Sequence, residues 1–289
     1  MSRSIPRLLA PLVELLELEQ AKIVTIAQLA TMLRSLQLPT SPAKAAYRLR
    51  ERGWLLPTGV RGAYEFAPGE RAGPISQADA LMSVRAVLAE ERGVRLAAAL
   101  GTALALNNLT DRAPDIPELA LPKDQKIPRP LRGTDVRIVR FEWSLPALLV
   151  QGVPVHRPAT VLVHLAHRPA EVRSWAAMLE ALPQLVAAST VKEIAEEMKG
   201  RPHATHVRLA YLTQGVAPDL AHALGISPAG KTWFGPRGTL RRHDAAWNVA
   251  DTILPFGPEE LSPAKDAEAT AAASAPTMEF ASDATGPQP

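Results

Sequence analysis

The sequence has no cysteine and few aromatic residues, 4% of 289. Without cysteine there is no disulfide and no thiolate metal ligand, and nothing points to an oxidising compartment. No apolar run approaches the ~20 residues that span a bilayer. The first residues do not read as a signal peptide, because their apolar positions are periodic and interrupted by Glu14, Glu17 and Glu19. The expectation is a cytoplasmic protein with no membrane contact. A Gly-x-Ser-x-Gly elbow, a dinucleotide fingerprint and an HExxH pair are also missing, so the sequence offers no catalytic residue, cofactor or metal site.

What is present is alanine and leucine. Hydrophobic residues make up 47% of the chain, which favours helices and substantial cores, and the length suggests two domains. Residues 38–68 form the clearest unit. Ser41 suits an N-cap and Pro42 the first helical position. Pro42, Ala45, Ala46 and Leu49 share one helical face, Lys44, Tyr47 and Glu51 lie opposite, and Arg48 and Arg50 flank them. Gly53 ends the helix at the position that takes a left-handed backbone. Trp54–Leu56 then reads as a strand, Pro57–Gly62 as a turn with Arg61 at its tip, and Ala63–Phe66 as the return strand.

Upstream, Ile5, Leu8, Leu9, Leu12, Leu15 and Leu16 recur at helical spacing, and Thr25 with Gln28 forms a capping box for a second helix. Helix, helix, short turn, basic helix and hairpin is the order of a winged helix-turn-helix. In that arrangement Lys44, Tyr47 and Arg48 face a DNA major groove, with Arg50 beside them. Thr40 and Ser41 meet a phosphate at the helix N-terminus, and Arg61 makes the wing contact. Residues 1–72 carry ten lysines and arginines against six aspartates and glutamates, a mildly basic +4. Binding by this unit should be moderate and strongly salt-dependent.

Residues 67–74, APGERAGP, mark a boundary. The turn-rich junction suggests that the two parts separate with little loss of packing. The stretch 75–256 reads as a helix-rich α+β domain, giving a chain that is mainly α with an α+β second half. Its expected helices cover about Ser76–Glu91, Leu96–Asn108, Ala159–Ala166, Ala170–Leu182, Val191–Lys199, Ala204–Gln214 and Pro218–Leu224. Its expected strands lie at Pro117–Leu121, Gly133–Glu142, Val153–Val155, Thr232–Phe234 and Ala246–Val249. From Gly257 the composition turns to Ala, Pro, Ser, Thr and acids, with six acidic residues and one lysine, and reads as a disordered acidic tail.

Gly225–Thr232, GISPAGKT, matches the Walker A string literally. A phosphate loop needs a buried strand before it and a helix after it. Here a helical pattern precedes and a strand-like TWF follows, so the string reads as a helix end and a loop. His164/His167 and His203/His206 are spaced i, i+3, but no acidic partner adjoins either pair in sequence. They read as ordinary histidines.

The chain from 1 to about 256 resembles the antitoxins of bacterial abortive-infection type E systems, the AbiEi family. The resemblance runs through the basic helix, Arg52-Gly53-Trp54-Leu55 and Arg61-Gly62-Ala63-Tyr64. It continues through Thr102–Asp111 (TALALNNLTD) with Pro114, and through Gly152-Val153-Pro154-Val155 before Thr160-Val161-Leu162. Asn108 stands where glycine is common. The likeness is greatest to mycobacterial members. It implies an antitoxin, itself no enzyme, that represses its own operon by binding double-stranded promoter DNA and counters a nucleotidyltransferase-like toxin. Arg237, Arg241 and Arg242 are candidates for an antitoxin surface in the second domain. Two alternatives are a winged-helix regulator with a ligand-sensing second domain and a phosphate-loop enzyme acting through Lys231.

Overall fold

The computed structural model describes residues 4–70, 79–91, 93–228 and 230–261. The expected helix start at Ser76 and the acidic tail beyond Leu261 lie outside them.

Residues 4–70 fold as their caps anticipate. α1 (Ala10–Glu19) buries Leu12, Val13 and Leu16. α2 (Ile26–Ser35) starts on the capping box: the Gln28 amide donates to Thr25 Oγ1 (3.1 Å), and the Thr25 amide donates back to Gln28 Oε1 (2.8 Å). Between them lies β1 (Ile23–Thr25), which the sequence pattern does not signal. α3 (Pro42–Glu51) begins on Ser41, whose hydroxyl accepts from the Lys44 amide. It ends at Gly53, φ +72°, where the Trp54 amide reaches back to Leu49 O (2.8 Å) and closes a left-handed cap. β2 (Leu55–Pro57) and β3 (Ala63–Phe66) form the hairpin, and β3 pairs antiparallel with both neighbours in the order β1-β3-β2. Leu9, Leu12, Leu16, Leu29, Leu49, Trp54 and Phe66 fill this core.

The remainder is mixed. α4 (Met82–Glu90) leads to β4 (Ala97–Ala98), α5 (Leu100–Leu106), β5 (Glu118–Leu121) and β6 (Arg137–Arg140), then the hairpin β7 (Leu148–Val150) and β8 (Val153–Val155). These strands form a five-stranded sheet in the order β6-β5-β4-β8-β7. The expected helix over Leu96–Asn108 is thus a strand and a helix. The run is apolar enough for either, and Leu100, at φ +47°, breaks it. α6 (Pro158–His167) is the central helix, buried from Ala159 to Ala166, with α7 (Trp175–Ala187), α8 (Val191–Met198) and α9 (His203–Thr213) packed on it. α7 runs through Pro183, past the expected end at Leu182. Leu182 and Leu185 are both fully buried on its inner face, and that packing outweighs one missing N–H bond. The short α10 (Leu220–Ala223) precedes a last sheet of β9 (Thr232–Phe234), β10 (Arg242–Asp244) and β11 (Val249–Asp251), in the order β10-β11-β9.

Two expectations need correction. The body extends past residue 256: Pro258–Leu261 form a 3₁₀ turn docked on α7 and α9, with Gly257 and Pro258 buried. The two parts are also not lightly joined. α4 packs on β1 and β3 as well as on β8, and the hairpin residues Val60 and Ala63 belong to the larger core. Separation before α4 would strip an apolar face from both.

Candidate nucleic-acid interface

α3 buries Ala45, Ala46 and Leu49, so the positions between them are forced outward. Lys44, Tyr47, Arg48 and Arg50 are exposed, Tyr47 at 62%. An exposed tyrosine on a cationic helix serves no core. Ser41 is exposed beside the helix start, and Thr40 is half-buried. The Arg50 guanidinium stands 5.9 Å over the Tyr64 ring of β3, tying the helix to the hairpin. Ser4 is anchored here too: Arg52 Nη1 donates to Ser4 Oγ (2.8 Å) and Trp54 Nε1 to Ser4 O (3.2 Å).

Arg61 is exposed at the hairpin tip, as the turn chemistry requires. Thr58 Oγ1 accepts from the Val60 amide and donates to Ala63 O (2.9 Å), while Gly59 and Gly62 take φ of +78° and +89°. Thr40, Ser41, Lys44, Tyr47, Arg48, Arg50 and Arg61 thus all lie on α3, at its start or at the tip of the adjoining hairpin. Among the described residues no carboxylate forms a salt bridge with Lys44, Arg48 or Arg61, so their charge is available to an anionic partner.

The three arginines of the second half do not gather into a free surface. Arg242 is held by Asp251 (3.5 Å), Glu259 (3.9 Å) and Glu260 (3.8 Å), and Arg241 Nη1 donates to Ile253 O (3.2 Å). Both serve the fold of the last sheet and the Pro258–Leu261 turn. Arg237 is exposed. The GISPAGKT string follows α10 and enters β9 at Thr232, with no helix after it, and Lys231 lies 5.0 Å over the Trp233 ring. The context of a phosphate loop is missing, as its flanking patterns indicate.

The histidines form a cluster that sequence spacing does not reveal. His164 is fully buried and stacked on Phe141, with centroids 4.0 Å apart and an interplanar angle of 7°. Arg201 lies on Phe141 at 4.5 Å. An acidic partner is present after all: Glu171 meets His164 Nε2 at 3.2 Å. Burial lowers the His164 pKa despite that carboxylate, and burial lowers His167 to about 4. His156, 0% exposed, sits edge-on to Trp143 at 4.8 Å and has no hydrogen-bond partner for either ring nitrogen among the described residues. Burial, then His164 and Arg95, holds its pKa well below 6.5. Among the described residues no group of three His, Asp or Glu side chains is placed to hold a metal.

The surrounding domain carries the decisive likeness. The family model described as the AbiEi antitoxin C-terminal domain matches residues 96–214. Residues 96–214 are an AbiEi antitoxin domain. The match supports an antitoxin role in a toxin–antitoxin system for the chain that carries this domain. Within this AbiEi domain Asn108, where glycine is common in the family, has φ +56°, the backbone that glycine and asparagine tolerate best. The buried Glu118 joins its elements: it accepts from the Gly101 amide (2.9 Å) and pairs with Arg137 (2.7 Å). The crystal structure of the RV2827C protein from Mycobacterium tuberculosis is similar with a TM-score of 0.69 at 24% identity, over 88% of this chain and 94% of that chain. That likeness is one of fold. No curated protein matches the sequence. No helix of the described residues is long and apolar enough to cross a membrane.

Proposed function

We propose that this chain is an antitoxin and also the repressor of its own operon. Residues 1–72 act as a winged helix-turn-helix on repeats in the promoter, and the body that follows counters a nucleotidyltransferase-like toxin. The observation that carries the DNA reading is the exposed, unpaired row Lys44–Tyr47–Arg48 on a capped helix, set beside a hairpin tipped by Arg61. A ten-residue helix is about 15 Å long and fits a major groove about 12 Å wide. Lys44, Tyr47 and Arg48 then reach base edges and phosphates, the α3 N-terminus with Thr40 and Ser41 takes a phosphate, and Arg61 lies along the neighbouring backbone. Arg50, leaning on Tyr64, holds the helix and the wing in register. The toxin class is what the family resemblance implies.

The test is binding of the intact chain to its promoter fragment at several salt concentrations. Lys44→Ala with Arg48→Ala should weaken binding by about 1–3 kcal/mol for each base edge no longer read. The salt slope should flatten by roughly one for each phosphate no longer neutralised. Both side chains are exposed and unpaired, so the melting temperature should stay unchanged. A double variant that binds the promoter like the native chain overturns the assignment. Growth rescue beside the neighbouring toxin gene, with promoter binding abolished by the same variant, would separate the two roles.

A further inference from the structure

A cavity of about 310 Å³ lies within the AbiEi domain, between α5, the loop 110–116 and the first turn of α7. Most of its lining is apolar: Leu100, Leu104 and Met178 are buried there, and Val172 and Ile116 complete the walls. Gly101 keeps the space open. A Cβ at this position would lie 3.3 Å from Glu118 Oε2, 3.5 Å from Met178 Cε and 3.6 Å from Pro114 Cγ, all of them lining residues, so a side chain here would project among them. Leu100 takes φ +47°, a backbone that a bulky residue adopts only under constraint, and such strained residues cluster where ligands bind.

Four charged side chains line the cavity. Glu118 is engaged by the Gly101 amide (2.9 Å) and by Arg137 (2.7 Å). Arg112 and Arg173 are exposed, and neither forms a salt bridge among the described residues. The remaining acid is Asp115, also exposed. Of the neighbouring carboxylates, Glu171 meets His164 (3.2 Å) and Arg168 (3.6 Å), and Asp111 does not line the space. Two arginines against one aspartate leave a single positive charge beside apolar walls.

We propose that this cavity binds a small organic monocarboxylate with an aromatic or branched apolar body. The body lies against Leu100, Leu104 and Met178, and the carboxylate meets the guanidinium groups of Arg112 and Arg173, whose paired N–H donors match its two oxygens. The volume stands at the small end of ligand pockets and holds on the order of ten non-hydrogen atoms. A nucleotide is too large for it and carries too many negative charges, and a cation would face both arginines. Because α5, the 110–116 loop and α7 all contribute to the lining, the bound acid ties three elements together and stabilises the domain. None of these residues belongs to the row on α3, so the site does not rest on the DNA reading.

The test titrates the full chain, isotopically labelled at its methionine methyl groups, with hydrocinnamate and follows the methyl resonances. Met178 lines the cavity, whereas Met32 and Met198 do not. The Met178 signal, assigned through Met178→Leu, should shift saturably with a Kd of about 0.1–4 mM, the affinity that about eleven non-hydrogen atoms give at ordinary ligand efficiency. Met32 should stay still. The uncharged amide of the same acid should bind about tenfold more weakly, and so should the acid to a variant with Arg112→Gln and Arg173→Gln, the scale of one charge-assisted hydrogen bond. Both arginines are exposed and unpaired, so the double variant keeps its fold, which its melting temperature without the probe verifies. A Met178 signal that does not move, equal shifts at Met32 and Met178, an amide that binds as tightly as the acid, or binding undiminished in the double variant would each overturn the proposal.

Discussion

His156 offers a measurement whose sign the structure fixes. Its ring is fully buried against Trp143, neither nitrogen meets a hydrogen-bond partner among the described residues, and burial keeps it neutral. Leaving a buried polar group unpaired costs about 1–3 kcal/mol. His156→Leu removes that cost at similar volume and forfeits an edge-on ring interaction worth about 0.5–1.5 kcal/mol. At pH 7.5 the variant should therefore be as stable as the native chain or more stable by about 1 kcal/mol, or ~2–4 °C. Acid widens the difference. The folded pKa lies below the unfolded 6.5, so the unfolded chain binds the extra proton and native stability falls as pH drops below 6.5. Below pH 6.5 this one group lowers the stability of the native chain progressively, a loss the leucine variant does not share. Calorimetry of both proteins from pH 5 to 8 should show curves that diverge as pH falls. A variant destabilised equally at every pH would refute the reasoning, because it would mean that the ring is hydrogen-bonded in solution.

Gly235→Ala should destabilise by more than about 2 kcal/mol: φ is +105°, and a Cβ would lie 2.5 Å from Thr252 Oγ1 and 2.7 Å from Ile253 Cγ2, a loss that thermal melts will register. Asn108→Val should cost about 1–2 kcal/mol by forcing a β-branched residue to φ +56°, while Asn108→Gly should stay within about 0.5 kcal/mol; denaturant titration distinguishes the two. Thr25→Ala removes the hydroxyl of the α2 capping box and should cost about 1 kcal/mol, seen as a lower urea midpoint with an unchanged slope. Lys231→Ala should leave the melting temperature within about a degree and leave any response to ATP as it is in the native chain, since Lys231 only overlies Trp233 on an exposed loop.

What could be read in advance divides along a physical line. Caps are local chemistry: Thr25 with Gln28, Ser41 before Pro42 and Gly53 after the basic helix each need only neighbours in sequence, and each is found as expected. The candidate DNA face followed from the same local facts, because burying Ala45, Ala46 and Leu49 dictates which residues of α3 face out. The elements that escaped are held from a distance. β1, β4, β7 and β10 have two or three residues each, and exist as strands only because β3, β5, β8 and β11 lie beside them. Arg242 read as a free cation because Asp251, Glu259 and Glu260 reach it from the far side of a turn and from a segment taken for tail. His156 carried no signal, since nothing in a sequence marks which polar ring the core will enclose. α4 shows the limit most clearly. Its apolar residues fit one amphipathic helix of a second domain, yet it packs on β1 and β3 as well as on β8. A helix packed on both parts shares its apolar surface between the sheet behind the basic helix and the AbiEi domain, so neither part keeps its full burial without the other.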